Sequence, residues 1–204
     1  MKQTAIRLDI DGSRYLKLEF YGSRKELRLF DEVTISYCEN DKCYVLYTND
    51  FVADSLRKFK SMFQKALGGN FEFHPSIQHD IGYLWQEYLA EKKGHNFVGE
   101  SFENSSFWVG LKHLLFSATF WNTWIYNKDG NIYLEITPSY RWHFSEPEKD
   151  EDYVSYDEFI KKFKPLTIFE IDKERAREWL EVVSDLVAIA QKNHEHWSKP
   201  AGEG

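Results

Sequence analysis

A chain of 204 residues with 42% apolar and 29% charged side chains can bury a full core, on the order of 70% of its unfolded surface, without metal or disulfide staples. Its net charge of −7 argues against nucleic acid or an anionic membrane as partner and favours a basic one. Aromatic residues make up 17% (seven Trp, twelve Tyr, sixteen Phe), so some rings are expected at edges or on a recognition surface.

Met1-Lys2-Gln3-Thr4 leads straight into an alternating segment with no apolar h-region, and no run of 18 apolar residues occurs, so a cytoplasmic chain that spans no membrane is expected. Ile6, Leu8 and Ile10 alternate with Arg7 and Asp9, as Leu16, Leu18 and Phe20 do with Lys17 and Glu19. Pairing Leu8 with Leu16 and Ile6 with Leu18 across Asp11-Gly12-Ser13 puts the apolar set on one face and requires a three-residue loop. Strands over Leu27–Phe30 continuing through Val33–Tyr37, and over Tyr44–Tyr47, complete an antiparallel meander. Cys38 and Cys43 bracket the hairpin turn Glu39-Asn40-Asp41-Lys42. With so few cysteines, reduced thiols are expected rather than a disulfide or redox pair, and no further Cys pair completes a zinc site.

Asn49-Asp50 offers a cap for a helix whose stripe is Val52, Leu56, Phe59, Phe63 and Leu67, ended by Gly68-Gly69. The apolar and aromatic stretch Ile81–Ala90 fits helix and strand alike. Lys92–Ser105 reads as a loop and Phe107–Phe116 as a strand. Trp121–Thr137 reads as a hairpin in which Asn127-Lys128-Asp129-Gly130 forms a type I turn with a Gly bulge. That register puts Tyr126 opposite Ile132 and Trp124 opposite Leu134, with Ile136 on the same face and Glu135 on the other. Pro138 ends the strand. Ser155 and Glu158 form a capping box for a short helix before Pro165, Thr167–Ile171 is a short strand, and Asp172 caps a last helix. The stripe of that helix is Ala176, Trp179, Leu180, Val183, Leu186, Val187 and Ala190. The whole predicts one α+β domain over 1–198, a mostly antiparallel sheet packed by two main helices, with a mobile tail over 199–204.

No His-Glu-x-x-His, Gly-x-Ser-x-Gly or phosphate-loop pattern occurs. His74 and His79 are separated by Pro75, and His194 and His196 stand two apart on a helix, so neither pair has helical metal-ligand spacing. No metal or cofactor is expected. Glu135, near Tyr133 on the mixed face of the hairpin, is the best lone acid or base, and with His143 it defines an alternative reading as a small-ligand or hydrolase-like pocket. The clearest charge feature is Glu146–Glu158, where Glu146, Glu148, Asp150, Glu151, Asp152, Asp157 and Glu158 face one Lys149. It abuts Tyr140, Arg141, Trp142 and His143. Rings and Arg beside a charged rim are the makeup of an interface hot spot. Tyr140, Arg141, Trp142, His143, Glu146, Glu148, Asp150, Glu151 and Asp152 are therefore the candidate partner-binding residues.

The run WNTWIYNKDGNIYLEITPSYRWHFSEPE, with KPLTIFEIDKERAREWLE after it, resembles small bacterial proteins similar to the immunity proteins of polymorphic-toxin and contact-dependent-inhibition systems. It covers roughly the C-terminal half and supplies no catalytic residue. The resemblance implies a non-enzymatic antitoxin-like protein that masks the active site of a cognate toxin or blocks its access to substrate, and the acidic loop would suit a toxin that is a basic nuclease. Self-association through exposed rings is a third reading.

Overall fold

The N-terminal alternation becomes an antiparallel meander of β1 (Gln3–Asp9), β2 (Arg14–Tyr21), β3 (Glu32–Glu39) and β4 (Lys42–Phe51), paired in that order. Leu8 faces Leu16 and Ile6 faces Leu18, the register expected from the sequence. The structure, a computed structural model, describes residues 3–74, 77, 80–92, 108–143 and 145–197. The tail expected over 199–204 and nearly all of the loop expected over 92–105 lie outside the described residues.

The strand expected over Leu27–Phe30 does not form; strand β3 begins only at Glu32. Leu27 and Leu29 are buried, but their backbone finds other partners. Asn193 donates to the Leu27 and Lys25 carbonyls at 2.8 and 2.9 Å, and Ala53 N–H donates to the Leu29 carbonyl at 2.9 Å. With those groups satisfied by helices, no neighbouring strand is needed.

The same loop caps α1 (Val52–Leu67). Val52 N–H donates to the Asp31 carbonyl, and no side chain caps the helix, contrary to the role expected of Asn49-Asp50. Asp50 instead accepts from the Phe51 N–H and the Tyr47 hydroxyl. Val52, Leu56, Phe59 and Phe63 are buried as expected. They face α4 (Lys173–Trp197), where Ala176, Trp179, Val183, Leu186 and Ala190 are buried and Leu180 and Val187 partly so. Asp172 caps α4 by accepting from the Arg175 N–H at 2.8 Å.

A second antiparallel meander contains β5 (Leu114–Ser117), β6 (Trp121–Lys128), β7 (Asn131–Pro138) and β8 (Thr167–Ile171). Strand β5 is shorter than expected: Val109–His113 form 3-10 turns, with the Trp108 ring packed where a side chain on residue 110 would stand, and Phe107 lies outside the described residues. One cluster of buried side chains runs from Leu16 and Leu18 through α1 and α4 to Ile125, Ile132, Leu134 and Ile136 of the second sheet. The class is α+β, with two antiparallel sheets and four α-helices among the described residues.

The β6–β7 hairpin corrects the expected register by one residue. Asp129 and Gly130 have φ of 52° and 81°, the two positive values of a two-residue type I′ turn, and no bulge intervenes. Trp124 therefore faces Glu135, and Ile125 faces Leu134. Glu135 shares the face of Trp124, not the opposite one, and it is buried. The reason is that both faces are covered. Helix α2 (Ile81–Lys92), the segment the sequence left open between helix and strand, packs on β6 and β7 and builds a second cluster of Ile77, Ile81, Trp124 and Tyr126.

The cysteines also depart from expectation. Cys38 and Cys43 face each other directly in the β3–β4 hairpin with Cα atoms 4.1 Å apart, and they form a disulfide. A two-residue turn makes the next cross-strand pair a close, non-hydrogen-bonded one, which brings the two Sγ atoms within bonding reach. Among the described residues no helix is long and apolar enough to cross a membrane.

Candidate functional site

After Pro138 the chain leaves the sheet, makes a single 3-10 turn at Arg141–His143 and enters the acidic loop. That loop ends at α3 (Tyr156–Lys161), whose capping box between Ser155 and Glu158 is formed as expected. The fully buried Gln86 of α2 fixes the turn from inside. Its Oε1 accepts from the Tyr140 N–H at 3.0 Å and lies 3.0 Å from His143 Nε2. With Gln86 oxygen as acceptor, His143 carries its proton on Nε2. Tyr140 donates its hydroxyl to the Val154 carbonyl at 3.1 Å and packs against Tyr156 and Phe159. Tyr140 and His143 are thus buried supports of this surface.

Outside them lies a contiguous set of rings and charges. The exposed Arg141 guanidinium sits 5.7 Å from the Phe120 ring centroid and 5.8 Å from that of Trp142, and pairs with Glu151. The half-buried Trp142 meets Tyr153 edge-on at 5.3 Å. Phe120 and Tyr153 are more than half exposed, at 56% and 55%, so with Trp142 they form an apolar patch rather than isolated surface rings. Glu151 also accepts from the Glu148 N–H at 3.0 Å, which folds the loop back toward Arg141. The Glu148 backbone and the Arg141 charge hold its carboxyl below the usual carboxylate range. Glu146, Glu148, Asp150 and Asp152 remain exposed around it. Sequence reasoning missed Phe120 and Tyr153. Tyr153 was within reach, adjoining the acidic run; Phe120 stands 21 positions before Arg141, and only the fold joins them.

The structure places Glu135 elsewhere. It lines a cavity of about 410 Å³ with Glu72, Phe73, Asp80, Tyr126, Asn127, Lys128, Asp129 and Ile168. The Tyr126 hydroxyl donates to Glu135 Oε2 at 3.0 Å, while Oε1 has no hydrogen-bond partner. Burial pushes the Glu135 pKa up to about 7; the Asp80 charge adds to the rise, and the Tyr126 hydroxyl and Gly82 backbone oppose it. Helix α2 reaches this floor closely because residue 82 is Gly: a Cβ there would collide with the Thr137 side chain, which accepts from Trp124 Nε1 at 2.9 Å. The grouping expected from sequence is split. Tyr133 turns its hydroxyl to Glu170 at 3.2 Å, and His143 is held under Gln86, so neither lines the cavity with Glu135.

Among the described residues no three His, Cys, Asp or Glu side chains gather to hold a metal. His79 and the His196 side chain lie outside the described residues. His113 is buried between Phe71 and Phe73, and burial pushes its pKa down to about 4. It is a neutral core histidine near neutral pH. Compared with family models, curated proteins and solved structures, the chain matches none.

Proposed function

We propose that this chain is a non-enzymatic protein-binding module of the immunity or antitoxin type, acting in the cytoplasm, where the hairpin disulfide, reached through the exposed Cys43, would be reduced. It neutralises a basic toxin by covering the active site or the path to it. The supporting observation is the surface that joins Phe120, Arg141, Trp142 and Tyr153 to the exposed acids Glu146, Glu148, Asp150 and Asp152. Aromatic and Arg anchors supply the lasting contacts of an interface, and a charged rim steers encounter. A nuclease presents a basic phosphate-binding surface, the complement of this rim. The resemblance of the sequence run from Trp121 to Glu148 to immunity proteins motivates the same reading.

The test uses the protein encoded beside this one, captured by copurification and then measured kinetically at two salt concentrations. Replacing Asp150 and Asp152 with Asn and Glu146 and Glu148 with Gln slows association at low salt, and the effect shrinks as salt rises. Trp142→Ala instead speeds dissociation, by a factor equivalent to about 2 kcal/mol or more. Unchanged rates in variants that remain folded would remove this surface from the functional account.

A further inference from the structure

We propose that the cavity between the start of α2 and the β6–β7 turn is a binding site for a small organic amine, whose ammonium group is taken by the free oxygen of Glu135 at the cavity floor. The site shares no residue with the Arg141 surface and does not depend on the protein-binding reading.

Three observations carry it. First, Glu135 is 3% exposed, and beyond the Tyr126 hydroxyl on Oε2 and the nearby Gly82 N–H its Oε1 has no hydrogen bond of good geometry. A buried carboxyl oxygen left unsatisfied is costly, and the natural remedy is a donor that arrives from the cavity. Second, among the described residues the lining carries four carboxyls (Glu72, Asp80, Asp129 and Glu135) against one ammonium, that of Lys128. Glu72, Asp80 and Asp129 are exposed and form the mouth; Glu135, Tyr126 and Asn127 are buried and form the floor. A cation is drawn in and an anion repelled. Third, the walls are partly apolar. Phe73 and Tyr126 lie with ring centroids 4.1 Å apart, and Ile168 stands at the rim. Rings beside a cation add attraction and accept an alkyl body.

The carboxyls do not converge as metal ligands do, which points to an organic cation whose charge and carbon chain use different parts of the wall. The cavity of about 410 Å³ suits a metabolite-sized ligand. Binding also couples to protons. Glu135 titrates near pH 7 in the free protein, with Asp80, Glu72, Asp129, Lys128 and Tyr126 facing the same space. An ammonium ligand selects the ionised carboxylate, so its binding lowers that midpoint.

The experiment is calorimetric titration of the full chain above pH 7 with n-butylamine, and with n-butanol as a neutral analogue of the same shape. The amine binds saturably and the alcohol does not. Glu135→Gln, which keeps size and the Tyr126 hydrogen bond, weakens the amine at least about tenfold, the loss expected for one charge-assisted hydrogen bond. A second measurement needs no variant: the Glu135 side-chain carboxyl resonance is titrated with pH in the presence and absence of n-butylamine, and its midpoint falls when the amine is bound. Absence of saturable binding at millimolar amine, equal binding of amine and alcohol, unchanged binding by Glu135→Gln, or an unmoved midpoint would each overturn the proposal.

Discussion

The two four-stranded meanders share one connectivity and treat polar side chains differently. On β1 and β2 of the first sheet the charges point outward and answer each other at the surface, as Lys17 and Glu19 do at 2.9 Å. The second sheet is covered on both faces, by the common core on one and by α2 on the other. It therefore buries Asn122, Thr123, Asn127, Glu135 and Thr137. Some of these are well served: the Asn127 amide donates to the Ala66 carbonyl at 2.9 Å and accepts from the Phe71 N–H at 3.1 Å, tying α1 to the hairpin. Others, including Glu135 Oε1 and Thr123 Oγ1, have no partner. Unsatisfied buried polar groups each cost about 1–3 kcal/mol, so a fold keeps few of them without a use. Among the described residues the first sheet keeps one such group, the Tyr37 hydroxyl, and the second keeps three, Asn122 Nδ2, Thr123 Oγ1 and Glu135 Oε1.

The largest expected effect tests whether the sheets stand or fall together. Phe63 stacks on Phe59 at 4.4 Å and meets Trp179 at 5.8 Å, in the cluster that links both sheets. Phe63→Ala should cost about 3–5 kcal/mol, counting lost transfer energy and the cavity left behind. Denaturant unfolding followed by tryptophan fluorescence and by far-ultraviolet circular dichroism should show one transition at a lower midpoint. Two separated transitions would mean that the sheets are independent units and that the shared core does not couple them.

A smaller effect is specific to the second sheet. Burial raises the Glu135 pKa to about 7, above that of a solvated glutamate. Between the two values the unfolded chain has released a proton that the folded one keeps. Stability therefore falls as pH rises through that window and levels off above about pH 7. At about 1.4 kcal/mol per pKa unit the full penalty is about 3 to 4 kcal/mol, of which on the order of 2–3 kcal/mol accrues between about pH 5 and about pH 8. The difference in unfolding free energy between the parent and Glu135→Gln should drift by that amount, in favour of the variant, from about pH 5 to about pH 8, while titrations elsewhere cancel. A flat difference would show that Glu135 is solvated.

What the sequence conveyed divides along the same line. In the first sheet, alternation of Ile6, Leu8, Leu16 and Leu18 with charges marked the buried face, and the pairing followed. In the second, residues on both faces of β6 are buried, so alternation carried no information about which side was in. The Asp129-Gly130 pair held the answer through its preference for positive φ at both positions, but the preceding Asn127 equally suited a longer turn. One residue of error moved Glu135 from the face it occupies to the other. The acidic loop and Arg141–Trp142 surface were legible because they are consecutive. The cavity was not, since Glu72, Asp80, Tyr126, Glu135 and Ile168 come from distant segments. Burial of Tyr140 and His143 was equally hidden, because it depends on Gln86 more than 50 positions away.

The smallest effect belongs to the first sheet and concerns the Cys38–Cys43 bridge. It closes only a short hairpin that the β3–β4 ladder already holds. Loop-closure entropy for so few residues gives at most about 2 kcal/mol, and structure retained by the reduced chain lowers that figure. Thiol titration of the denatured, unreduced protein should find no free thiol. Reduction should then cost about 1–2 kcal/mol in denaturant unfolding and leave both the Glu135 pH signature and n-butylamine affinity unchanged, since neither cysteine touches the second sheet's cavity. Cys43 is exposed, so mild reductant reaches the bridge in the native state. Two free thiols in unreduced protein would show that the hairpin holds without the bond, and a change in the Glu135 titration on reduction would show that the first sheet is more than scaffold to the second.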